Sequence, residues 1–238
     1  MSPVFVVPMC ALLCLTLFSY WHNMNPFKVL EVQHLTSEAF RIRTERPEAA
    51  LIVAGQCFNV GLPGGSINRE YSMYSDANGQ YVDFLVKTVE DGSLTPLLQK
   101  VKVGDMVEID GPYGQFYLHE PEDRTRGYVF LATGTGISPF HSFVATYPHL
   151  RYKLIHGIRK PSEQYDSSDY APGSYVSCIS RNVYGQTSSR ITDYLKQNPI
   201  DPTSLVYLCG NRNMIVDAFE ILRDQGVPGN NLFTEVFF

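Results

Sequence analysis

At 238 residues the chain is long enough for two domains of ordinary size, each burying its own core. Hydrophobic residues at 44% and charged residues at 18% exclude a disordered or collagen-like chain, and a formal charge of −5 leaves no electrostatic footprint for nucleic acid. The five cysteines, Cys10, Cys14, Cys57, Cys178 and Cys209, form no CxxC pair, which excludes a zinc ribbon or disulfide scaffold and suits a reducing, cytoplasmic compartment.

The opening segment is unlike the rest. From Pro3 to Trp21 it is almost wholly apolar, and no charged side chain precedes Lys28, a length close to the ~20 residues of a membrane helix. Three readings stand. As a signal anchor it would leave the remaining chain, with Lys28, Arg41, Arg43 and Arg46, on the cytoplasmic side, tethered to the membrane. As a cleaved signal peptide it lacks a basic start and a clear small-residue cleavage site. As an upstream extension it ends where Met24 opens the first alternating sequence. In each case residues 1–23 are expected to lie outside the fold, and membrane contact is expected only if residues 3–21 act as an anchor.

Residues 24–124 read as a barrel of short strands separated by Gly, Pro and Asn: Phe27 to Gln33, Ala39 to Thr44, Gln56 to Leu62, Arg69 to Ser75, Tyr81 to Val89 and Asp105 to Asp110. Six such runs predict a closed antiparallel β-barrel, interrupted once by a helix from about Leu94 to Lys100. Glu122 to Arg126, short and polar, reads as a linker. From 125 to 238 buried-type runs alternate with helical patterns. Strands are expected at Tyr128 to Ala132, Lys153 to Gly157, Tyr175 to Ser180, Leu205 to Cys209 and Leu232 to Val236. Helices are expected at Ser138 to Tyr147, Ser189 to Gln197 and Met214 to Gln225. That alternation predicts a parallel α/β sheet.

Several short motifs carry chemistry or merely structure. Arg69-Glu-Tyr71-Ser72 lies on a strand, so alternation sends Arg69 and Tyr71 to one face and Ser72 to the other; by itself it is an ordinary cross-strand pair. Asp91-Gly92-Ser93-Leu94-Thr95 opens the helix of the barrel half, where free N–H groups suit phosphate and where Ser93 or Thr95 also suits a simple cap. Gly111-Pro-Tyr-Gly114 reads as a sharp turn. Gly134-Thr-Gly136-Ile-Ser-Pro139 follows the first strand of the second half. It is not GxGxxG, but its glycines admit close backbone approach to a pyrophosphate and Pro139 suits a first helical turn. His141, His149 and His156 have no partners at metal-ligand spacing, and Asp166 to Asp169 reads as a polar turn, so no metal site is expected.

Taken in order, the RxYS, GPxG and GTGxxP patterns, together with Cys209-Gly-Asn-Arg-Asn-Met214 and the closing Thr234-Glu-Val-Phe-Phe238, resemble the ferredoxin:NADP reductase family over nearly all of residues 24–238. The resemblance implies FAD in the barrel and NADP in the α/β domain. It places Tyr71 on the isoalloxazine ring, Ser72 near flavin N5, and Arg69 with Gly92, Ser93 and Thr95 on the pyrophosphate. Phe237 or Phe238 would cover the second flavin face. Thr133, Gly134, Thr135 and Gly136, with Cys209, Gly210 and Met214, would line the nicotinamide nucleotide, and Cys209 and Glu235 would approach the reacting ring alongside Ser72. Ser180-Arg181 matches a family element that grips the 2′-phosphate. Arg190 lies where a second basic group is usual and Arg159 supplies a third, a set that favours NADP over NAD. Asn182 departs from the Glu of many relatives.

The resulting expectation is a monomeric FAD-dependent enzyme passing hydride from NADPH to flavin N5 and single electrons to ferredoxin or flavodoxin. Two alternatives stay open: a reductase component for an oxygenase or for free flavin, and a noncatalytic flavin electron-transfer subunit. Relatives of the last kind carry a cysteine cluster, whereas the second half of this chain has only Cys178 and Cys209.

Overall fold

The computed structural model describes residues 24–47, 51–181 and 189–237. The apolar opening segment, Asn182 and Phe238 therefore lie outside the described residues, and among those described no helix is long and apolar enough to cross a membrane.

The first half is a six-stranded antiparallel sheet of β1 (Asn25–His34), β2 (Ala39–Glu45), β3 (Cys57–Gly61), β4 (Asn68–Ser72), β5 (Tyr81–Lys87) and β6 (Met106–Tyr113), in the order β4-β3-β6-β1-β2-β5. Its outer strands meet. Met73, just past β4, bridges Phe84 of β5, and the Tyr74 amide donates to the Asp83 carbonyl at 2.8 Å, closing the sheet into the expected barrel. Strand β2 shows why. Phe40, Ile42 and Thr44 turn inward while Arg41 and Arg43 alternate outward, a period of two that pairs one apolar face with Val82, Phe84 and Val86 of β5. On the polar side Arg43 faces buried Asp83 in register and grips it with two bonds, at 2.8 and 2.9 Å.

Two features of this half differ from expectation. The helix shrinks to four residues, α1 (Thr95–Leu98), because only buried Leu94 and Leu98 tie it to the barrel core. Gly111-Pro-Tyr is the end of β6 rather than a turn. A register shift lets Tyr113 pair with Cys57, and at Gly111, with φ +142°, a Cβ would lie 2.8 Å from the Phe58 ring.

The second half is a parallel sheet of β7 (Gly127–Thr133), β8 (Arg151–Ile158), β9 (Tyr175–Ile179), β10 (Leu205–Gly210) and β11 (Leu232–Val236), in the order β11-β10-β7-β8-β9. Helices α2 (Ser138–Thr146), α3 (Ile191–Gln197) and α4 (Arg212–Asp224) connect it. Alternation divides the central strands between two cores. Phe130 and Ala132 of β7, with Tyr207 and Cys209 of β10, join Phe140 and Phe143 of α2 and the barrel core in one continuous cluster. Val129, Leu131, Val206 and Leu208 face the other way, onto α3 and α4. Cys209 is thus committed to the barrel side of the sheet. The chain leaves β7 toward β8 and β9 and returns to β10 on its other flank, so the strand order reverses between the carboxyl ends of β7 and β10. Open α/β sheets take ligands at that position.

Candidate active site

Three side chains meet where the two halves join. Ser72 ends β4 and is buried; its hydroxyl donates to Glu235 Oε2 at 3.2 Å. Cys209 sits opposite Glu235 in the β10–β11 register, so both point to the same face, and its thiol donates to the same oxygen at 3.8 Å. Burial pushes the Glu235 carboxyl up to about 7, against the two hydrogen bonds that lower it. Burial likewise pushes the Cys209 thiol well above its ordinary value, and the neighbouring carboxylate adds to the rise. The result is a carboxyl able to hold a proton near neutral pH, beside a hydroxyl and an un-ionised thiol. A cleft of about 430 Å³ bordered by Tyr117, Phe233, Thr234 and Glu235 lies alongside.

The other barrel candidates are placed as follows. Tyr71 is half-buried, edge-on to Phe84 at 6.5 Å, and burial pushes its phenol up to about 12. Arg69 is exposed and donates to the Asn68 carbonyl at 2.7 Å. Thr95 turns back instead of outward: its Oγ1 accepts from the Val89 amide at 2.9 Å, while the Gly92 amide donates to the Val89 carbonyl at 2.9 Å. Those two residues shape the turn, leaving exposed Ser93 at its tip. Phe237 is half-buried against the continuous core, and its amide donates to the Gly210 carbonyl at 2.9 Å.

The Thr133 to Gly136 turn lies against the end of β10. A Cβ on Gly136 would stand 2.6 Å from the Cys209 carbonyl oxygen, and one on Gly210 would overlap Thr133, whose Oγ1 accepts from the Asn211 amide at 2.8 Å. These glycines therefore serve close packing of turn and strand. Gly134, with φ +53°, borders open space, and Thr135 accepts the Ser138 hydroxyl on its carbonyl at 2.8 Å. Met214 packs on the opposite core, and its amide contacts Asn211 Oδ1 at 3.4 Å in the α4 cap, so its side chain stands on the face away from Cys209.

The arginines gather at the carboxyl ends of β8 and β9. The Arg181 amide donates to the Arg159 carbonyl at 3.1 Å, and Ser180 Oγ donates to the Ile158 carbonyl at 3.1 Å. The Ser189 amide donates to Ile179 at 3.1 Å, which brings Arg190 to the same edge, and all three arginines are exposed. Glu163, absent from the sequence-level candidates, holds this edge. Its Oε2 accepts from the Arg159 and Lys160 amides at 2.7 and 3.3 Å, and its Oε1 accepts from Lys87 of the barrel at 3.1 Å. Burial alone would raise this carboxyl; the donors outweigh it and hold it below the ordinary range. Its place four residues after Arg159, across a proline, was the available signal.

Also unforeseen is the meeting of His141, Asp166 and Asp169, whose ligating atoms lie within 4.8 Å of one another. Asp166 is already engaged by the Tyr74 hydroxyl at 2.9 Å and Arg41 at 3.4 Å. His141 lies between the Tyr74 carbonyl (2.6 Å) and Asp169 (3.1 Å). The cluster ties the two halves together.

A closed antiparallel barrel abutting the switch point of a parallel α/β sheet, with a hydroxyl, a thiol and a proton-holding carboxyl at the seam, defines the two-domain FAD-binding oxidoreductase class. Residues 27–117 match the oxidoreductase FAD-binding domain. The chain is 26% identical to ferredoxin–NADP reductase of Azotobacter vinelandii, covering 90% of this chain and 98% of that protein. It is 28% identical to the toluate 1,2-dioxygenase electron transfer component of Pseudomonas putida over 84% of this chain, and spans 62% of that longer protein. A ferredoxin NADP+ reductase from Neisseria gonorrhoeae, with bound FAD and NADP, superposes with a TM-score of 0.80 at 27% identity, covering 91% of this chain and all of that one. Along nearly its whole length the chain is thus similar to ferredoxin–NADP reductases, and its first half to the oxidoreductase FAD-binding domain.

Proposed function

We propose that the protein is an FAD-dependent NADPH reductase that passes hydride from nicotinamide C4 to flavin N5 and single electrons onward to ferredoxin or flavodoxin. The observation that carries this reading is the convergence of Ser72, Cys209 and Glu235 from two separate sheets on one buried point. The barrel residues fit a flavin: a half-buried phenol, a buried hydroxyl one residue on and an exposed guanidinium two residues before, all on one strand. FAD, when bound, supplies the conversion from two-electron to one-electron chemistry.

Tyr71 and Phe237 would cover the flavin faces, and Arg69 with the Gly92 to Thr95 turn would hold the pyrophosphate. Ser72 Oγ holds its proton on Glu235 Oε2, within reach of the reacting edge, and Glu235 can keep or release a proton near neutral pH. Cys209 and the Thr133 to Gly136 turn exclude water from the nicotinamide side. Arg159, Ser180, Arg181 and Arg190 form the cationic edge for a 2′-phosphate.

Similarity to the toluate dioxygenase component supports a second reading, in which electrons go to an oxygenase partner. Anaerobic reduction of the purified flavoprotein by NADPH and by NADH, followed by electron delivery to ferredoxin, flavodoxin or an oxygenase component, tests both. NADPH is expected to reduce the flavin faster at equal subsaturating concentration. Equal rates would remove the NADP assignment, and transfer to the oxygenase component alone would favour the second reading.

A further inference from the structure

The nucleotide half holds a fully buried histidine to which nothing above gives a role. His156 lies in β8, in register with Ala132 of β7, and no part of it reaches solvent. Its Nε2 stands 2.8 Å from the Gly134 carbonyl oxygen and its Nδ1 2.9 Å from the Tyr175 hydroxyl. A carbonyl only accepts, so Nε2 carries the hydrogen. Burial holds the ring neutral, its pKa pushed down to about 4, so Nδ1 must accept and the Tyr175 hydroxyl must donate. Tyr175 is itself immobilised, its ring stacked on Tyr170 at 5.2 Å and 7°. The two hydrogen bonds thus have a single direction, and the end of the chain is the first glycine of the turn.

That glycine needs holding. Gly134 has φ +53° and open space where a side chain would be, so sterics alone do not prevent its peptide from flipping. Gly136, two residues on, packs tightly against Cys209 and Gly210; Gly134 has no such packing, and its carbonyl, at the start of a 3-10 turn (Gly134–Ile137), is held only by that single turn and by His156. The Gly134 carbonyl and the Thr135 amide belong to one planar trans peptide and point in opposite directions. Drawing the carbonyl in toward His156 therefore aims the Thr135 N–H away from the core, at the carboxyl end of β7 where this sheet's strand order reverses. An N–H presented there suits an anionic oxygen.

We propose that His156 and Tyr175 are a buried positioning pair that fixes the Gly134–Thr135 peptide so that the Thr135 N–H faces a phosphate oxygen of the nicotinamide nucleotide. The proposal rests on the nucleotide-binding role assigned to this half above. His156 touches neither substrate nor flavin and acts only through the turn.

The test compares His156→Leu, His156→Gln and Tyr175→Phe in the FAD-loaded protein, with FAD content as the control for folding. Glutamine can place an amide N–H near the Nε2 position, whereas leucine cannot. NADP+ binding to the oxidised protein, measured by calorimetry, should weaken about tenfold or more in His156→Leu, return to within about threefold of wild type in His156→Gln, and fall between them in Tyr175→Phe. KM for NADPH should rise by the same factors with kcat at saturation changed less than about twofold, since the turn binds rather than reacts. Hydrogen exchange at Thr135 should quicken in His156→Leu and not in His156→Gln.

A His156→Leu protein that keeps its FAD and binds NADP+ as wild type does would overturn the proposal, as would a His156→Gln protein as weak as His156→Leu. Should the leucine variant lose its fold, unchanged NADP+ binding in Tyr175→Phe would overturn it equally. A wild-type protein that binds no NADP+ would overturn the nucleotide reading itself, and the Thr135 exchange rates would still decide whether His156 holds the turn.

Discussion

Ser72, the last residue of a barrel strand, donates its hydroxyl hydrogen to Glu235, on the outermost strand of the α/β sheet, across 3.2 Å. The bond spans 163 positions of sequence and joins the two halves at the point where the reacting rings are proposed to meet. It gives the hydroxyl a fixed orientation and the carboxyl one of its two short-range donors.

Removing that hydroxyl should slow flavin reduction while leaving FAD bound. Ser72→Ala is expected to lose about tenfold to a hundredfold in single-turnover reduction by NADPH, equivalent to about 1.5 to 3 kcal/mol. Stopped-flow absorbance of the oxidised flavin measures it. An unchanged rate would remove Ser72 from the chemistry.

Glu235 makes stability depend on pH in a stated direction. Its ordinary value of 4.5 applies to the unfolded chain, and the folded protein raises it to about 7. Between these values the native state holds a proton that the unfolded state has released, so stability falls as pH rises through the window and is level above it. The shift bounds the loss at about 3 kcal/mol. Urea denaturation at pH 5 and pH 8 should therefore show Glu235→Gln gaining on wild type at the higher pH, and a constant difference would mean the carboxyl is not raised.

The arginine edge predicts selectivity. Arg181→Ala and Arg190→Ala should each weaken NADPH binding about tenfold to a hundredfold and spare NADH, because NADH has no 2′-phosphate to lose. The maximum rate with saturating NADPH should change little, and high salt should shrink the effect. Equal losses for both nucleotides would assign these arginines to the fold.

Glu163 should matter more than a surface carboxylate. Glu163→Ala leaves the Arg159 and Lys160 amides without their acceptor and is expected to cost about 1 to 3 kcal/mol in chemical denaturation. Glu163→Gln keeps an acceptor oxygen and should recover much of it. Because Arg159 hangs on that amide, the alanine variant should raise KM for NADPH more than for NADH, and parallel changes would restrict Glu163 to stability.

Much of this protein is determined by local sequence. Phe40, Ile42 and Thr44 alternating with arginines determine β2, and the apolar run at Tyr128 to Ala132 followed by Gly134 to Pro139 determines the first strand, turn and helix of the second half. Side-chain period and turn chemistry are properties of neighbouring residues, so they are legible before folding. The ends of elements were less so. Nothing in Leu94 to Lys100 reveals that two buried leucines stabilise only one helical turn, and Gly111-Pro-Tyr carries every mark of a turn until Cys57 pairs with Tyr113. What tertiary structure alone decided is which distant groups share a desolvated point. Glu235 is an ordinary strand carboxylate until β10 sets Cys209 opposite it and the barrel brings Ser72, and its rise to about 7 comes first from the burial those elements create. Glu163 has a local signal only in its place after Arg159 and Lys160, and His156 has none; the partners that give them their roles, Lys87 in the barrel, Gly134 in the turn and Tyr175 on the neighbouring strand, are brought by the fold. Burial and hydrogen-bond partnership across strands depend on register and packing, which no window of local sequence contains.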